Sequence, residues 1–336
     1  MSTGALQFRP PSEGHTCWSV LPGPTIRGTL TAAVVLVLAA CARGGDSASG
    51  SDSSVATLEV PAAATARVDS IGRLFADLDV RIRPLVAARD SALAAIRQDS
   101  GTGRADSAFA AFRGQFALRA ESVGTAIYQN QPLQRWIWRV RPEGWTDLDS
   151  APADSLRRFL AARGLRAEFS EGNAYAAENT AAMASLFERF LSPAMRSFLA
   201  IRRAEEDEGY SEDAGLRISW DQLAERIARW EGFLDANPGF LLVDEGRYWY
   251  DNYLAVYLTG MDNSRVFELQ RETLDPRVRA SYGRFVARYP ATRTARIVRE
   301  YLDVLGRNGW RAEPEVVAFL KANGIQSMIG QQPPTR

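Results

Sequence analysis

The sequence predicts a mostly α-helical fold of antiparallel helical hairpins, or a short irregular solenoid of them, with one small β-hairpin near residues 165–177. Three observations carry this expectation. Apolar residues recur at spacings of three and four along most of the chain from residue 68. Helix-start signals punctuate the second half, as Ser-Pro, Asp-Pro and Ser-x-x-Gln. Period-two alternation is confined to one short stretch that ends at a turn signal.

The first helix follows from Val68, Ile71, Leu74, Phe75 and Leu78, then Leu85, Leu93 and Ile96 beyond Pro84. Proline removes a backbone donor and clashes with the preceding turn, so a kink or break is expected near Pro84. A second helix carries Phe109, Phe112 and Phe116 after the Gly101-Thr102-Gly103 interruption. Together these form an N-terminal helical hairpin over residues 58–130.

Residues 131–330 form the second region. Gln131 to Trp145 packs three tryptophans around Pro132 and Pro142, and Trp136 and Trp138 alternate with Arg135 and Arg139. That segment reads as a short strand or an irregular loop. A helix over 154–163 uses Leu156, Phe159 and Leu160. Leu165 to Ser170 then alternates in period two, with Glu171-Gly172-Asn173 as a turn before Ala174-Tyr175, which predicts the β-hairpin. It is expected to be the protein's one sheet.

Everything after Glu178 reads as helical. Ser192-Pro193 supplies an N-cap and a first-turn proline. Ser219-x-x-Gln222 is a capping box ahead of a core stripe at Leu223, Ile227, Trp230 and Leu234. A further helix buries Tyr250, Tyr253, Leu254, Tyr257 and Leu258. Asp275-Pro276 opens another, and Gly309 and Gly324 stand where C-terminal caps belong. Trp230-x-x-Phe233-Leu234-x-x-x-Pro238 is echoed 52 residues later by Tyr282-x-x-Phe285-Val286-x-x-x-Pro290. Phe285 to Pro290 resembles the helix ends of tetratricopeptide-like units in periplasmic lipoproteins. The offset is far from that repeat's period of about 34 residues, so generic hairpins are the expectation. The stretch from Glu168 to Trp310 resembles uncharacterised bacterial lipoproteins, which implies no activity. Residues 331–336 read as a frayed tail.

Ahead of the folded region, an apolar run from Leu30 ends in Leu38-Ala39-Ala40-Cys41, behind Arg27. The run is well short of the roughly 20 apolar residues that span a bilayer. Its length suits the apolar core of a signal peptide, and the small residues suit a cleavage site. The four residues resemble the lipobox of a bacterial lipoprotein. The resemblance implies a signal peptide at 1–40, cleavage before Cys41, a diacylglycerol on the Cys41 thiol and a third acyl chain on its amine. Two or more chains give stable membrane attachment, at about 0.8 kcal/mol per buried methylene. Ala42 after the cysteine leans towards the outer membrane. The stretch before Arg27 is long for a signal peptide, so the true start codon is expected downstream of Met1. Residues 41–57, rich in Gly, Ser, Ala and Asp, are a flexible linker on composition.

That cleavage has a chemical consequence. The single histidine, His15, and the other cysteine, Cys17, lie upstream of it. A mature chain cut there has no histidine and no free thiol. It has no means for Ser-His-Asp or Cys-His catalysis, for zinc sites built on those residues, or for disulfides. From Ala42 on, 38 Arg and Lys face 39 Asp and Glu, so no basic excess points to nucleic acid. No cofactor or metal is expected.

Three constellations remain. The acidic run Glu205-Glu206-Asp207-Glu208 with Glu212-Asp213 lacks calcium-loop spacing and reads as the solvated, fraying end of a helix. Glu168 and Glu171 flank a turn near Tyr175; paired carboxyls can cut glycan strands without histidine, but exposed acids on an amphipathic hairpin explain them as well. Tyr248-Trp249 precedes the tyrosine stripe, and one of the two should fall outside it, where Trp249 could stack on a ligand. The expectation is a lipid-anchored cell-envelope protein, a non-enzymatic binding or scaffold module for protein partners. The rivals are a peptidoglycan-acting enzyme working through carboxylates and a carbohydrate-binding module.

Overall fold

Two long helices open the structure, and their sequences explain both the pairing and the turn. A computed structural model describes residues 62–138, 151–170, 173–269 and 271–325. Cys41, the lipobox, the linker, Glu171 and the tail at 331–336 lie outside the described residues. Helix α1 spans Ala62–Gln98 and continues through Pro84, where a kink or break was expected, without a break. Helix α2, Gly103–Gln129, buries Phe109, Phe112 and Phe116 on one face, as their spacing predicts. Arg119 reaches the Pro84 carbonyl at 3.5 Å. The two residues stand at similar distances from the connecting turn, so α1 and α2 run antiparallel. The described residues from Leu74 onward belong to one compact unit; the first turns of α1, up to Arg73, fall in another.

The tryptophan-rich segment is neither strand nor loop over its described part: Gln131–Trp138 is helix α3. Its contribution to the fold is Gln134, which is buried. The Gln134 amide donates to the Ala174 carbonyl at 2.9 Å, and its carbonyl accepts from the Ala174 N–H at 2.9 Å. One side chain thereby imitates a neighbouring strand and satisfies the open edge of the hairpin at that residue. Helix α4, Ala151–Ala161, buries Leu156 and Leu160.

Strands β1 (Leu165–Ser170) and β2 (Asn173–Glu178) pair antiparallel, with Glu168 opposite Tyr175. The predicted hairpin is present, and Asn173 belongs to a strand rather than to the turn. Helix α2 lies so close to β2 that a Cβ at Gly124 would meet the Ala176 carbonyl at 2.7 Å. Only a residue without a side chain allows that approach.

Three helical hairpins follow: α5 (Thr180–Phe187) with α6 (Pro193–Glu208), α7 (Trp220–Ala236) with α8 (Val243–Thr259), and α9 (Pro276–Arg288) with α10 (Arg293–Arg307). Helix α11, Pro314–Ala322, packs on α10. The predicted caps are in place at Ser192, Ser219 and Asp275, and the capping box at Ser219 and Gln222 is complete. Gly309 and Gly324 follow α10 and α11 in left-handed conformation, each with the paired backbone bonds of a Schellman ending. The 52-residue echo corresponds to α7 and α9: Trp230 and Tyr282 are fully buried, and each helix ends two residues before its proline. In the α7 stripe, Leu234 is only half-buried and Phe233 takes the inward position.

The expectations of a single sheet, and of helices alone after Glu178, are wrong. Two further two-stranded hairpins link successive helical pairs: β3–β4 (Ser211–Glu212 with Gly215–Leu216) and β5–β6 (Gly260–Met261 with Ser264–Arg265). Their strands are two residues long, too short for alternation to register. They dock on each other: the Asn263 N–H and side-chain amide donate to the Ala214 and Asp213 carbonyls, and Ser264 accepts from the Leu216 N–H. Asp213 and Ala214 both hold positive φ, the arrangement of a tight primed turn, in which alanine is unusual.

Candidate functional site

A continuous seam of arginine and glutamate joins α2, the β1–β2 hairpin, α6, α7 and α8. It begins at Arg113, whose spacing on α2 places it among the buried phenylalanines. Its Nε donates to Glu178 at 2.9 Å, and its two terminal nitrogens grip Glu245, with Nη2 at 3.1 Å. Burial would lower the Arg113 pKa, yet the two carboxylates raise it well above its ordinary value. Burial likewise pushes the Glu245 carboxyl up, but Arg113 and then Arg202 hold it below the usual range.

Arg202 is the next member. Its Nη1 donates to Glu205 at 3.1 Å, its Nε lies 3.9 Å from Glu245, and its guanidinium centre stacks 3.9 Å over the Trp249 ring. Glu205 is only 3 % exposed. It also accepts from the Trp230 indole N–H at 2.8 Å and from the Tyr253 hydroxyl at 3.0 Å. Burial pushes its carboxyl above the ordinary range despite Arg202 and Arg226. Burial raises Glu206 in the same direction. Glu206 closes the N-terminus of α5, accepting from both the N–H and the hydroxyl of Thr180.

The acidic run is solvated only in part: Asp207, Glu208, Glu212 and Asp213 are exposed as expected, whereas Glu205 is buried and Glu206 half-buried. Arg226, 1 % exposed on α7, donates to the Glu205 carbonyl at 3.2 Å, the Gly209 carbonyl at 2.5 Å and the Glu208 carboxylate at 2.9 Å. A cation from the next helix thus occupies the negative end of α6 and offsets the unfavourable acids there. The run has no calcium-loop geometry, and among the described residues no group of acids, histidines or cysteines is placed to hold a metal.

Of the residues singled out from sequence, Trp249 lies against Arg202 within this seam and Glu168 lies beside its Glu206 through Arg166. Glu168 is half-buried and pairs with Arg166, which also lies 3.7 Å from Glu206. Tyr175, across from it, lies parallel to Tyr128 with ring centroids 5.5 Å apart. Tyr128 is 42 % exposed. Trp249 is half-buried with one face covered by Arg202, while Tyr248 is the exposed member of that pair. The chain matches no protein-family model, no curated protein and no solved structure.

What sequence reading missed is the cationic half of the seam. Arg113, Arg202 and Arg226 are ordinary members of a chain with 40 Lys and Arg in all. Their one local signal is position: Arg113 and Arg226 each stand beside an apolar stripe residue, at Phe112 and Ile227. Among the described residues, no helix is long and apolar enough to cross a membrane.

Proposed function

We propose that this protein is a lipid-anchored component of a bacterial cell envelope, whose helical hairpins bind protein partners without catalysing a reaction. Attachment through Cys41 rests on Leu38-Ala39-Ala40-Cys41 behind Arg27. The observation that favours binding over catalysis is the use made of the shifted carboxyls. Glu205, Glu206 and Glu245 each answer a guanidinium, a hydroxyl or a helix start, and so join helices together. Stacked helical hairpins present broad surfaces suited to protein partners.

A carbohydrate-binding reading has one specific observation behind it, the parallel Tyr128–Tyr175 pair with Glu168 opposite Tyr175.

Membrane fractionation tests the anchor: the wild-type chain is expected in the membrane and Cys41→Ala in the soluble fraction, and a membrane-bound Cys41→Ala form refutes lipidation. Cross-linking in intact membranes, followed by purification, tests the scaffold reading. It should recover the same envelope proteins repeatedly with the wild type and lose them with Cys41→Ala. Release of muropeptides from peptidoglycan by the purified full chain would overturn it in favour of carboxylate catalysis.

A further inference from the structure

Arg202 stands between two carboxylates with its hydrogen bonding incomplete. Its Nη1 is bonded to Glu205, but its Nε–H has no acceptor, since Glu245 Oε1 at 3.9 Å is beyond hydrogen-bond range. A buried donor without a partner is unfavourable, so a small shift towards Glu245 is favoured when the hold of Glu205 weakens.

We propose that Arg202 is a proton-driven switch: it bridges Glu205 and Glu245 while Glu205 is ionised, and moves onto Glu245 alone when Glu205 takes up a proton. The surroundings of Glu205 make this directional. Facing it are Arg202 on α6, Arg226 and Trp230 on α7, and Tyr253 on α8. Tyr210 packs on Tyr253 with ring centroids 4.9 Å apart. Beyond lie Glu206, held by Thr180 and Arg166, and Glu208, held by Arg226. On the other side of Arg202, Glu245 is clamped by Arg113, which also holds Glu178. Glu245 therefore keeps its charge while Glu205, buried and sharing its cation, is the group that gains a proton. The proton settles on Oε2, the oxygen that Arg202 and Tyr253 now share, and displaces Arg202. Because Arg202 lies on the Trp249 ring, its movement changes the environment of that indole. The switch does not depend on the envelope reading.

Trp249 fluorescence reads the switch in the full chain, isolated as the difference between wild type and Trp249→Phe. On acidification from neutral pH to the ordinary glutamate value of 4.5, the difference emission should shift in one single-proton transition. Glu205→Gln should abolish that transition, and Glu206→Gln should keep it. Tyr253→Phe removes a donor to the ionised carboxylate, so the midpoint should move to higher pH; this readout holds even if Glu205→Gln does not fold. A wild-type signal that stays flat above pH 4.5, a transition that survives in Glu205→Gln, or a midpoint unmoved by Tyr253→Phe overturns the proposal.

Discussion

Glu231 on α7 accepts hydrogen bonds from the backbone N–H groups of Arg293 at 2.6 Å and Thr294 at 3.2 Å, closing the first turn of α10 from a different helix. Thr292 caps the same turn locally, accepting from Ala295 at 3.1 Å. Glu206 does the same for α5, and Asp106 on α2 accepts from the Ser192 N–H at the start of α6. Three helix starts are thus fixed by carboxylates distant in sequence, where the positive end of the helix dipole favours negative charge.

Glu231→Ala should cost about 1–3 kcal/mol, since it leaves buried donors unpaired. Thr292→Ala should cost about 1 kcal/mol as a lost N-cap. The two share one helix start, so denaturant unfolding of the double variant should depart from the sum of the singles. Strict additivity would mean that the caps act independently.

Arg113→Met should be among the most damaging single changes. It leaves half-buried Glu178 without its cation and half-buried Glu245 with only the more distant Arg202, a loss of about 3–5 kcal/mol at most. Adding Glu178→Gln and Glu245→Gln removes the uncompensated charges and should recover a good part of that loss. If the triple variant melts no higher than Arg113→Met, charge imbalance is not the cause.

Gly124→Ala and Gly232→Ala should act in opposite directions. A methyl group at position 124 meets the Ala176 carbonyl at 2.7 Å and should cost about 1–3 kcal/mol by overpacking. Position 232 lies inside α7 with nothing within 4 Å, so alanine there should stabilise by about 0.5–1 kcal/mol. Thermal melts of the two variants compare them directly.

Stability should depend on pH in two limbs. Glu245 is lowered below its ordinary 4.5, and Asp79, Asp221 and Asp275 below 3.8. Their contributions are present above those ordinary values and are lost as pH falls through the lowered ones. Glu205 and Glu206 are raised, so theirs are full below 4.5 and are lost as pH rises through the raised values. The melting temperature should therefore peak on the acid side of neutrality. Glu205→Gln with Glu206→Gln should flatten the limb towards neutral pH and leave the acid limb. A wild-type melting temperature that climbs steadily from pH 4.5 to neutrality contradicts this.

Gln134→Ala should cost about 1–3 kcal/mol, because the N–H and carbonyl of Ala174 both lose their partner. Amide exchange at Ala174 should rise with it, and unchanged protection there would show that the edge is covered by something else.

Local chemistry made much of this architecture legible. Ser192, Ser219 and Asp275 cap helices because a short polar side chain reaches its own backbone three residues on or sooner, wherever the rest of the chain lies. The phenylalanines of α2 and Tyr250, Tyr253 and Tyr257 of α8 face the core because their spacing follows the helical turn. The β1–β2 hairpin shows in alternation because six residues a side are enough to display it. The two shorter hairpins have no such pattern, and Trp136 and Trp138 alternate with arginines while lying on a helix.

Sequence alone determined most of the helices, their main caps, the absence of histidine and of any further cysteine downstream of Cys41, and the lipobox resemblance. Only the tertiary structure decided what the charges do. The acidic run looked solvated because a helix end rich in Glu is normally exposed. Arg226, eighteen residues beyond Glu208 and on another helix, ties that end of α6 to α7, with Glu205 buried while Asp207 and Glu208 stay exposed. Periodicity is set by neighbours within a turn or two, whereas ion pairs and distant caps are set by which helices meet, and that depends on the packing of the whole core.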